Sequence, residues 1–500
     1  MKNVATLATG SLLASAASAQ VVQWDIVRRG NGVSRLNKRA GGTVEEIITN
    51  ERTNGGYFTS CTVGTPPQKL TLQLDTGSSD IWVPASTASV CEDTSQGGCS
   101  FGSYDYQQSS TFAVINEDFS ISYVDNSHSR GDYITETFGI GNVNLENTTM
   151  GLGLDTDIPY GLVGVGYALN EASVAQTGSV SSAYNNLPVV MRDEGHIATN
   201  AYSLWLNDLD ASTGSILFGG IDTDKYQGDL VRVDVQKDPQ TRAFTSFIVE
   251  LTSLQAHSSS GDDSLTTNFP VNVVLDSGTT LSYLPQDLID QVWKEVGVEY
   301  VTDSSGAAAP LVPCSLANNK GYFAFGFGGT GGPVIKVGLD ELVLSLNSGQ
   351  APQFPSGQYK GQDACQFGIQ NISVSGSNPP TYLLGDTFLR SAYVVYDLEN
   401  NEIGLAPTDF NATTSHVVAF PSQGATIPSS TAAPSQGSTS SGSGSNPNYS
   451  ANGGFTSNNN NNNGGKNGAS LPAALDFTQL AVMSVSMGFM MIGGGMFCLF

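Results

Sequence analysis

The sequence has little charge, and very little of that charge is positive. Only 13% of its 500 residues are charged, and 20 Lys and Arg residues stand against 45 Asp and Glu residues, which gives a formal net charge of −25 at pH 7. Such a chain cannot neutralise many phosphates, so the composition excludes a general nucleic-acid binder. The acidity is consistent with solubility alone, and equally with work at low pH, where carboxylates protonate and the charge falls.

Histidine is scarce as well, and the common catalytic motifs are missing. The four histidines are scattered without metal-ligand spacing, and there is no His-Glu-x-x-His motif, Gly-x-Ser-x-Gly motif, P-loop or dinucleotide-binding fingerprint. We therefore predict no metal site and no cofactor. The histidines are His128, His196, His257 and His416.

Glycine and apolar residues, in contrast, are plentiful. The chain has 57 glycines and is 39% hydrophobic, which favours a sizeable core built from short strands and turns. Between about residues 44 and 408, alternating patterns such as residues 70–74 and apolar runs such as residues 393–396 indicate strands. Helices are predicted only at residues 181–193 and 286–298. The sequence thus predicts a mainly β fold.

The first 39 residues have the pattern of a processed leader. Residues 1–19 contain a lysine at position 2, a short apolar stretch and a final Ala-Ser-Ala, which is typical of a secretory signal peptide. Residues 20–39 are rich in Arg and end in Lys38-Arg39. We interpret them as a propeptide, although a dibasic pair is also common on ordinary surfaces. The mature protein would then begin at Ala40.

The cysteines predict two disulfides, since pairing is expected in an oxidising compartment. Cys91 and Cys99 flank a short polar loop and are predicted to pair. Cys314 and Cys365 are predicted to close a larger loop in the second half of the chain. Cys61 lies in a predicted strand without an obvious partner, and we interpret it as a buried free thiol.

The composition changes after residue 420. Residues 421–467 are mostly Ser, Thr, Gly, Pro and Asn, which cannot bury enough apolar surface to fold, so we predict a stalk over residues 411–467. Four sequons fit a glycosylated secreted protein, although such short motifs also arise by chance. Their asparagines are Asn147, Asn371, Asn411 and Asn448.

The C-terminal tail has the pattern of a lipid-anchor signal. Small residues at 467–469, a polar spacer and a largely apolar stretch over residues 480–500 match a GPI signal, and no Lys or Arg follows the apolar stretch. We predict that residues 468–500 are removed and that Asn467 carries the anchor, at the plasma membrane or cell wall. A retained membrane span and a released extracellular form are the alternatives.

One internal repeat carries the strongest functional signal. Residues 74–84 (LDTGSSDIWVP) are echoed by residues 275–285 (LDSGTTLSYLP). In both segments an apolar strand leads into Asp, a hydroxyl residue, Gly and another hydroxyl residue, and a proline follows nine positions after the Asp. Two structural turns are the alternative, but matched frames about 200 residues apart favour a duplicated half-domain.

Asp75 and Asp276 are therefore the candidate catalytic residues. Two carboxyl groups held close together share one proton, so that one can take a proton from water while the other polarises a carbonyl group. Gly77 and Gly278 let the backbone turn tightly and let the two loops approach each other. The supporting hydroxyl side chains are Thr76, Ser78, Ser277 and Thr279.

These motifs resemble those of the pepsin family of aspartic proteases, and the likeness covers about residues 55–408. Further similar pieces follow in the family's order, including residues 162–166 and 383–386, which resemble the strands behind each catalytic loop. Residues 167–171 and 200–207 are most similar to fungal candidapepsin- and yapsin-like enzymes, several of which are GPI-anchored.

The resemblance implies a bilobal, mainly β fold. Residues 40–230 would form the N-terminal lobe with a flap, and residues 231–410 would form the C-terminal lobe, related by pseudo-two-fold symmetry across a cleft. It implies an endopeptidase that cuts protein and peptide substrates at acidic pH. We expect a monomer without a nucleic-acid partner.

Tyr123 falls where the family has its flap tyrosine. The resemblance implies that its hydroxyl bonds the indole of Trp82 and that the flap closes over substrate; a plain packing pair is the alternative. Val124 and Asn126 stand where glycine is common, which predicts a stiffer or differently turned flap. Asp125 could favour a basic substrate side chain, against the simpler interpretation of a surface aspartate.

Three other functions compete with the endopeptidase. A non-catalytic binding protein of the same fold would be expected to lose an Asp or its Gly partner. A structural wall glycoprotein would explain the stalk and anchor but not the repeat. A carboxylate-pair glycosidase predicts no repeat and no hydroxyl residue beside each Asp. The repeat therefore favours the protease.

Overall fold

Strands dominate the structure, as the glycine-rich, alternating sequence predicts. The computed structural model describes residues 21–29, 56–123, 127–141, 143–211, 213–302, 308–346, 351–371, 382–434, 436, 449–452 and 454–455. Among these residues no helix is long and apolar enough to cross a membrane.

The strands of the first half are β1 Val22–Arg29, β2 Gly56–Val63, β3 Gln68–Asp75, β4 Ile81–Pro84, β5 Ala113–Ser122, β6 His128–Ile140, β7 Val143–Thr156, β8 Gly161–Gly164, β9 Ala201–Trp205, β10 Thr213–Phe218, β11 Gly220–Asp222 and β12 Leu230–Asp234. Those of the second half are β13 Ile248–Ser258, β14 Gly261–Leu265, β15 Val271–Leu275, β16 Ser282–Leu284, β17 Glu299–Thr302, β18 Ala308–Pro313, β19 Tyr322–Phe327, β20 Val334–Gly338, β21 Val343–Ser345, β22 Ala364–Phe367, β23 Ile369–Asn371, β24 Tyr382–Leu384, β25 Ala392–Asp397, β26 Glu402–Pro407, β27 Val417–Ala419 and β28 Ser430–Ala432.

The α-helices are short: α1 Ser89–Glu92, α2 Ala172–Thr177, α3 Leu187–Asp193, α4 Gln286–Val296, α5 Leu339–Leu342 and α6 Asp386–Leu389. Helix α4 matches the helix predicted over residues 286–298 but ends at Val296, and the next residue, Gly297, has a left-handed conformation that suits glycine. The prediction over residues 181–193 was wrong in its first half. Helix α3 starts only at Leu187, because Pro188 lacks an N–H and fits the first helical turn.

A 14-stranded sheet runs through both lobes in the order β28-β12-β26-β25-β9-β10-β1-β2-β3-β8-β4-β7-β6-β5. An eight-stranded sheet and a four-stranded sheet, built from strands β13 to β24, complete the C-terminal half. The main hydrophobic core is continuous through both halves. A second cluster, which includes Phe119 and Tyr133, lies beneath the β5–β6 hairpin.

The duplicated motif corresponds to a duplicated strand arrangement. In the first half, β3 pairs in parallel with β8, and β8 pairs antiparallel with β4. In the second half, β15 pairs in parallel with β24, and β24 pairs antiparallel with β16. The matched frames read from the sequence therefore belong to two equivalent strand-loop-strand units, one in each lobe.

Strand β1 comes from the segment interpreted as a propeptide. It lies between β2 and β10 in the sheet that joins the lobes. The side chains of Val22, Trp24 and Ile26 are buried, and the Trp24 indole donates a hydrogen bond of 2.8 Å to the carbonyl oxygen of Ser60. In this structure the strand is an integral part of the fold.

The stalk prediction needs correction, because the described part of residues 411–467 is packed against both lobes. Strand β28 pairs in parallel with β12 and extends the large sheet. Phe420, Ile427 and Phe455 are almost fully buried. The prediction rested on average composition, but a few apolar residues spaced along a polar segment are enough to fill gaps in a neighbouring lobe.

Candidate active site

Two equivalent loops bring Asp75 and Asp276 together. Asp75 is the last residue of β3, and Asp276 directly follows β15; neither side chain is exposed to solvent. Gly164 and Gly385, at the ends of the strands behind the loops, touch the loop backbones so closely that a Cβ on either would lie less than 3.0 Å from backbone atoms. Glycine at these two positions lets each loop sit close to the strand behind it.

Each carboxylate accepts the same two hydrogen bonds from its own loop. The Gly77 N–H donates to Asp75 Oδ1 and the Gly278 N–H to Asp276 Oδ1, both at 2.8 Å. The Ser78 hydroxyl donates to Asp75 Oδ2, and the hydroxyl group of Thr279 donates to Asp276 Oδ2. The predicted supporting residues thus hold both carboxyl groups in fixed orientations.

The two carboxyl groups also contact each other across the lobe boundary. Each carboxyl group lies close enough to the other to affect its pKa. A Cβ on Gly77 would lie less than 3.0 Å from Asp276, and a Cβ on Gly278 less than 3.0 Å from Asp75. Each glycine therefore makes room for the carboxyl group of the opposite lobe.

Burial raises the pKa of both aspartates. Repulsion from the neighbouring Asp276 raises the pKa of Asp75 further. Two buried carboxyl groups in contact cannot both ionise easily, so the pair retains one proton where isolated aspartates would both be charged. The arrangement supplies a proton acceptor and a proton donor side by side.

A reciprocal set of hydrogen bonds joins the two loops behind the carboxyl pair. The Thr76 hydroxyl donates to the carbonyl oxygen of Leu275, and the Ser277 hydroxyl donates to that of Leu74, both at 3.0 Å. The Ser277 N–H donates to the Thr76 hydroxyl at 2.9 Å. Because all these groups are buried, the bonds fix the position of one lobe's loop against the other.

Tyr123 and Trp82 lie together, as the resemblance implies. The Trp82 indole donates a hydrogen bond of 2.7 Å to the Tyr123 hydroxyl, and both side chains are buried. Residues 124–126 lie outside the described part of the chain, so the predictions about Val124, Asp125 and Asn126 stay predictions.

Both predicted disulfides are present. Cys91 bonds Cys99, and Cys314 bonds Cys365, which links β18 and the following turn to β22. Cys61 is a buried free thiol, and burial raises its pKa. A raised thiol pKa makes a reactive role for Cys61 unfavourable.

Two of the sequon asparagines are exposed. Asn147 lies in β7 and Asn411 follows β26, and both have positive φ. Asn371 is partly buried at the end of β23, where its amide donates to the Gln286 side chain at 2.6 Å. Asn448 and Asn467 lie outside the described residues.

A buried polar group that was not predicted from the sequence lies behind the first loop. Asp80 accepts hydrogen bonds from the Tyr184 hydroxyl at 2.8 Å and from the Ala172 N–H at 2.9 Å. Glu171 accepts one from the Tyr184 N–H at 2.8 Å. The amide of Asn170 donates to the Gly77 carbonyl oxygen at 3.0 Å, which connects this group to the Asp75 loop.

Two of these carboxyl groups favour the protonated state. Burial raises the pKa of Asp80 to about 6 and that of Glu171 to about 9, and repulsion from Asp80 adds to the effect on Glu171. Asp80 lies within the first repeated motif and Glu171 within residues 167–171, but nothing in the sequence shows that these two residues, 91 positions apart, are buried together.

We expect the protein to lose stability as the pH rises from about 4 toward 9. The unfolded chain releases the Glu171 proton near pH 4.5, whereas the folded chain keeps it until about pH 9. The folded state therefore binds the extra proton in this window, and the free energy of unfolding falls with pH. Over three pH units one such proton corresponds to at most about 4 kcal/mol.

Urea unfolding of wild type and Glu171→Gln at pH 4, 5.5 and 7 measures this effect. The amide cannot ionise, so the variant should lose less stability between pH 4 and pH 7. Glu146→Gln, at an exposed glutamate on β7, is the matched control and should follow the wild type. An unchanged pH dependence in Glu171→Gln would contradict the assignment.

The fold and the site together define a class of protein. Two β-rich lobes, each contributing one Asp-hydroxyl-Gly loop to a shared buried carboxyl pair, are the arrangement of a hydrolase that works through two aspartates. Among the described residues no group of His, Cys, Asp or Glu could hold a metal ion.

Comparison with known proteins makes the assignment more specific. A model of the eukaryotic aspartyl protease family matches residues 56–408. A probable aspartic-type endopeptidase, opsB, of Aspergillus oryzae is 41% identical over 418 residues, which cover 82% of this chain and 81% of that protein. An acid protease of Saccharomycopsis fibuligera is 37% identical over 75% of this chain and 87% of its own. Secreted aspartic protease 3 of Candida albicans is 34% identical over 75% of this chain and 85% of that protein.

The chain belongs to the eukaryotic aspartyl protease family. It is an aspartic endopeptidase, with proteins and peptides as substrates. The class predicted from the repeated motif is confirmed.

Proposed function

We propose that this enzyme hydrolyses peptide bonds at acidic pH, with Asp75 and Asp276 as the catalytic residues. The observation that carries the proposal is the contact between two buried carboxyl groups, one from each lobe. Acidic pH suits such a pair because one of the two groups must hold a proton while the other is ionised.

The chemistry needs only water and the carboxyl pair. The ionised aspartate takes a proton from water as the water oxygen attacks the scissile carbonyl carbon, and the protonated aspartate gives its proton to the carbonyl oxygen. The resulting diol breaks down when the pair protonates the leaving nitrogen and takes a proton from one diol hydroxyl. The C–N bond breaks, and the pair again holds one proton.

The surrounding residues act by keeping the pair in position. The Ser78 and Thr279 hydroxyls donate to Oδ2 of Asp75 and Oδ2 of Asp276. Thr76 and Ser277 fix the two loops against each other. Preorganised donors of this kind need no rearrangement when charge moves during the reaction.

We assign Tyr123 and Trp82 to substrate enclosure. Tyr123 starts the turn of the β5–β6 hairpin, and its N–H donates to the carbonyl oxygen of Ser127 at 2.9 Å. Asp75 lies close enough to raise the pKa of the Tyr123 hydroxyl, after the larger effect of burial. A flap in this position would exclude bulk water and hold an extended peptide through backbone hydrogen bonds.

The test of the function is proteolysis of an unfolded protein by the form ending at residue 467, across pH 3–7. We expect an acid optimum and inhibition by a statine-type transition-state analogue. Absence of cleavage throughout this range would overturn the proposal. We also propose that Asp125 favours a basic substrate side chain. Cleavage of a peptide library by wild type and by Asp125→Ala tests this role. An unchanged preference at every subsite would contradict it.

We also propose secretion, processing and lipid anchoring. In this scheme residues 1–19 are the signal, residues 20–39 the propeptide, and residues 468–500 are exchanged for a GPI anchor at Asn467. Two observations support this scheme: the Candida relative is named as a secreted protease, and the C-terminal tail has the pattern of a GPI signal. Because β1 occupies the gap between β2 and β10, a mature chain starting at Ala40 must either keep the cut strand bound or fill that gap.

Intact-mass measurement of the mature, deglycosylated protein tests the whole scheme. We expect a first residue of Ala40 and a last residue of Asn467 with attached glycolipid. The mass removed by deglycosylation reports use of Asn147, Asn371, Asn411 and Asn448. A mature chain that retains residues 468–500 would support the membrane-span alternative. Light scattering of the same sample tests the proposed monomer.

A further inference from the structure

His128 occupies the base of the flap, five residues after Tyr123. It is the first residue of β6 and lies opposite Ser122 of β5. Its ring Nδ1 is 3.3 Å from a carboxylate oxygen of Asp157, and its Nε2 is 3.8 Å from one of Asp155. The imidazole therefore bridges two carboxylates at the end of the neighbouring strand β7.

The same short segment also holds the main chain of His128. The His128 N–H donates to the second oxygen of Asp157 at 2.8 Å. The Thr156 hydroxyl donates to the His128 carbonyl oxygen at 2.8 Å. Residues 155–157 thus fasten one arm of the hairpin, while the other arm leads directly to Tyr123.

The charges around the imidazole are mostly negative. Asp155 and Asp157 face it from β7 and the residue after β7, and Arg130 lies two positions along its own strand, with Asp155 as its cross-strand partner. A pocket of about 400 Å³ beside them is lined by further acidic residues of β5 and β6. These are Glu117, Asp118 and Asp132.

We propose that His128 is a positioning residue for the flap, which its imidazolium fastens to Asp155 and Asp157 at acidic pH and releases toward neutral pH. The inference rests on the proposed function and concerns how well substrate is held, separately from the chemistry of the aspartate pair. Histidine suits this role because it is the side chain whose charge ordinarily changes near physiological pH, where carboxyl groups ordinarily stay ionised.

The test compares KM and kcat for a peptide substrate across pH 4–7.5 in the form ending at residue 467. Partly exposed ion pairs are weak, so we expect the wild-type KM to rise by about fivefold from pH 5 to pH 7. His128→Gln should have the high KM already at pH 5, with little further pH dependence. His128→Lys, which stays charged, should keep a low KM to pH 7.

His257→Gln is the matched control. His257 is similarly exposed and pairs with Asp262 at 2.9 Å, but on the β13–β14 hairpin of the other lobe. The His257→Gln variant should therefore have the same dependence of KM on pH as the wild type. A wild-type profile in His128→Gln, or the same change in His257→Gln, would overturn this inference alone. A wild type that cleaves nothing at any pH would overturn the proposed function and this inference with it.

Discussion

Replacing Asp75 or Asp276 by asparagine will reduce kcat by at least about a thousandfold at pH 4. An amide has nearly the shape of a carboxyl group, but it can neither take a proton from water nor hold the shared proton. The loss should therefore appear in kcat, measured with a fluorogenic peptide, much more than in KM. The double variant should be little worse than either single one, because the two groups act as a unit.

The same variants should fold normally or better. Both carboxyl groups are buried in contact with each other, and replacing one by a neutral amide removes a source of repulsion. Asp397→Asn makes the same chemical change at a buried aspartate bound to Asn400, and it should alter kcat less than tenfold. Cleavage that persisted in both active-site variants would remove the two aspartates from the mechanism.

The largest effect on stability is expected at the buried ion pair of Glu341 and Arg390. The guanidinium donates to both the carboxylate and the backbone oxygen of Glu341, and the second carboxylate oxygen accepts the Leu209 N–H at 3.0 Å. The pair thereby connects α5, α6 and the turn after β9. Glu341→Ala leaves a buried cation without its carboxylate partner, which should reduce the free energy of unfolding by about 3–5 kcal/mol at both pH 4 and pH 7.

Arg390→Met should behave differently, because the group left behind can lose its charge. Burial raises the pKa of Glu341 even with the arginine present. Without the arginine, Glu341 will bind a proton at pH 4. The variant should therefore lose less free energy of unfolding at pH 4 than at pH 7. Urea unfolding at the two pH values measures the difference. Glu402→Ala is the control, because it breaks a more exposed ion pair with Arg232. It should reduce the free energy of unfolding by about 1 kcal/mol or less.

Equal costs for Glu341→Ala and Glu402→Ala would contradict this account. So would a cost for Arg390→Met that is the same at pH 4 and pH 7. The first result would mean that burial adds nothing to the pair, and the second that Glu341 stays charged without its partner.

The parts of the site that could be predicted from the sequence are those that local motifs encode. Each Asp-hydroxyl-Gly loop is specified within a few consecutive residues, and the repeat showed that two such loops belong together. The short Cys91–Cys99 bridge is similarly local. The Cys314–Cys365 pairing followed because few cysteines compete for partners in the second half of the chain.

The parts that could not be predicted depend on contacts between distant segments. Asp80 meets Ala172 92 positions later, and Arg390 meets Glu341 49 positions earlier. Nothing near any of these residues indicates a buried charge. The segment after residue 420 was misjudged for a related reason, since average composition does not show which isolated apolar side chains find a pocket.

The docking of that segment would limit how far a lipid-anchored form of the enzyme could reach. Phe455 packs against Phe323, and its N–H and carbonyl oxygen bond Glu295 and Asn319. If the chain is joined to lipid at Asn467, only twelve residues (467 − 455) separate Phe455 from the lipid. A segment of this length spans at most about 40 Å. That is less than the width of the folded body, about 50 Å for a chain of this size. Such an enzyme would encounter proteins anchored on the same surface at a high effective concentration. For freely diffusing proteins, anchoring would not raise the effective concentration.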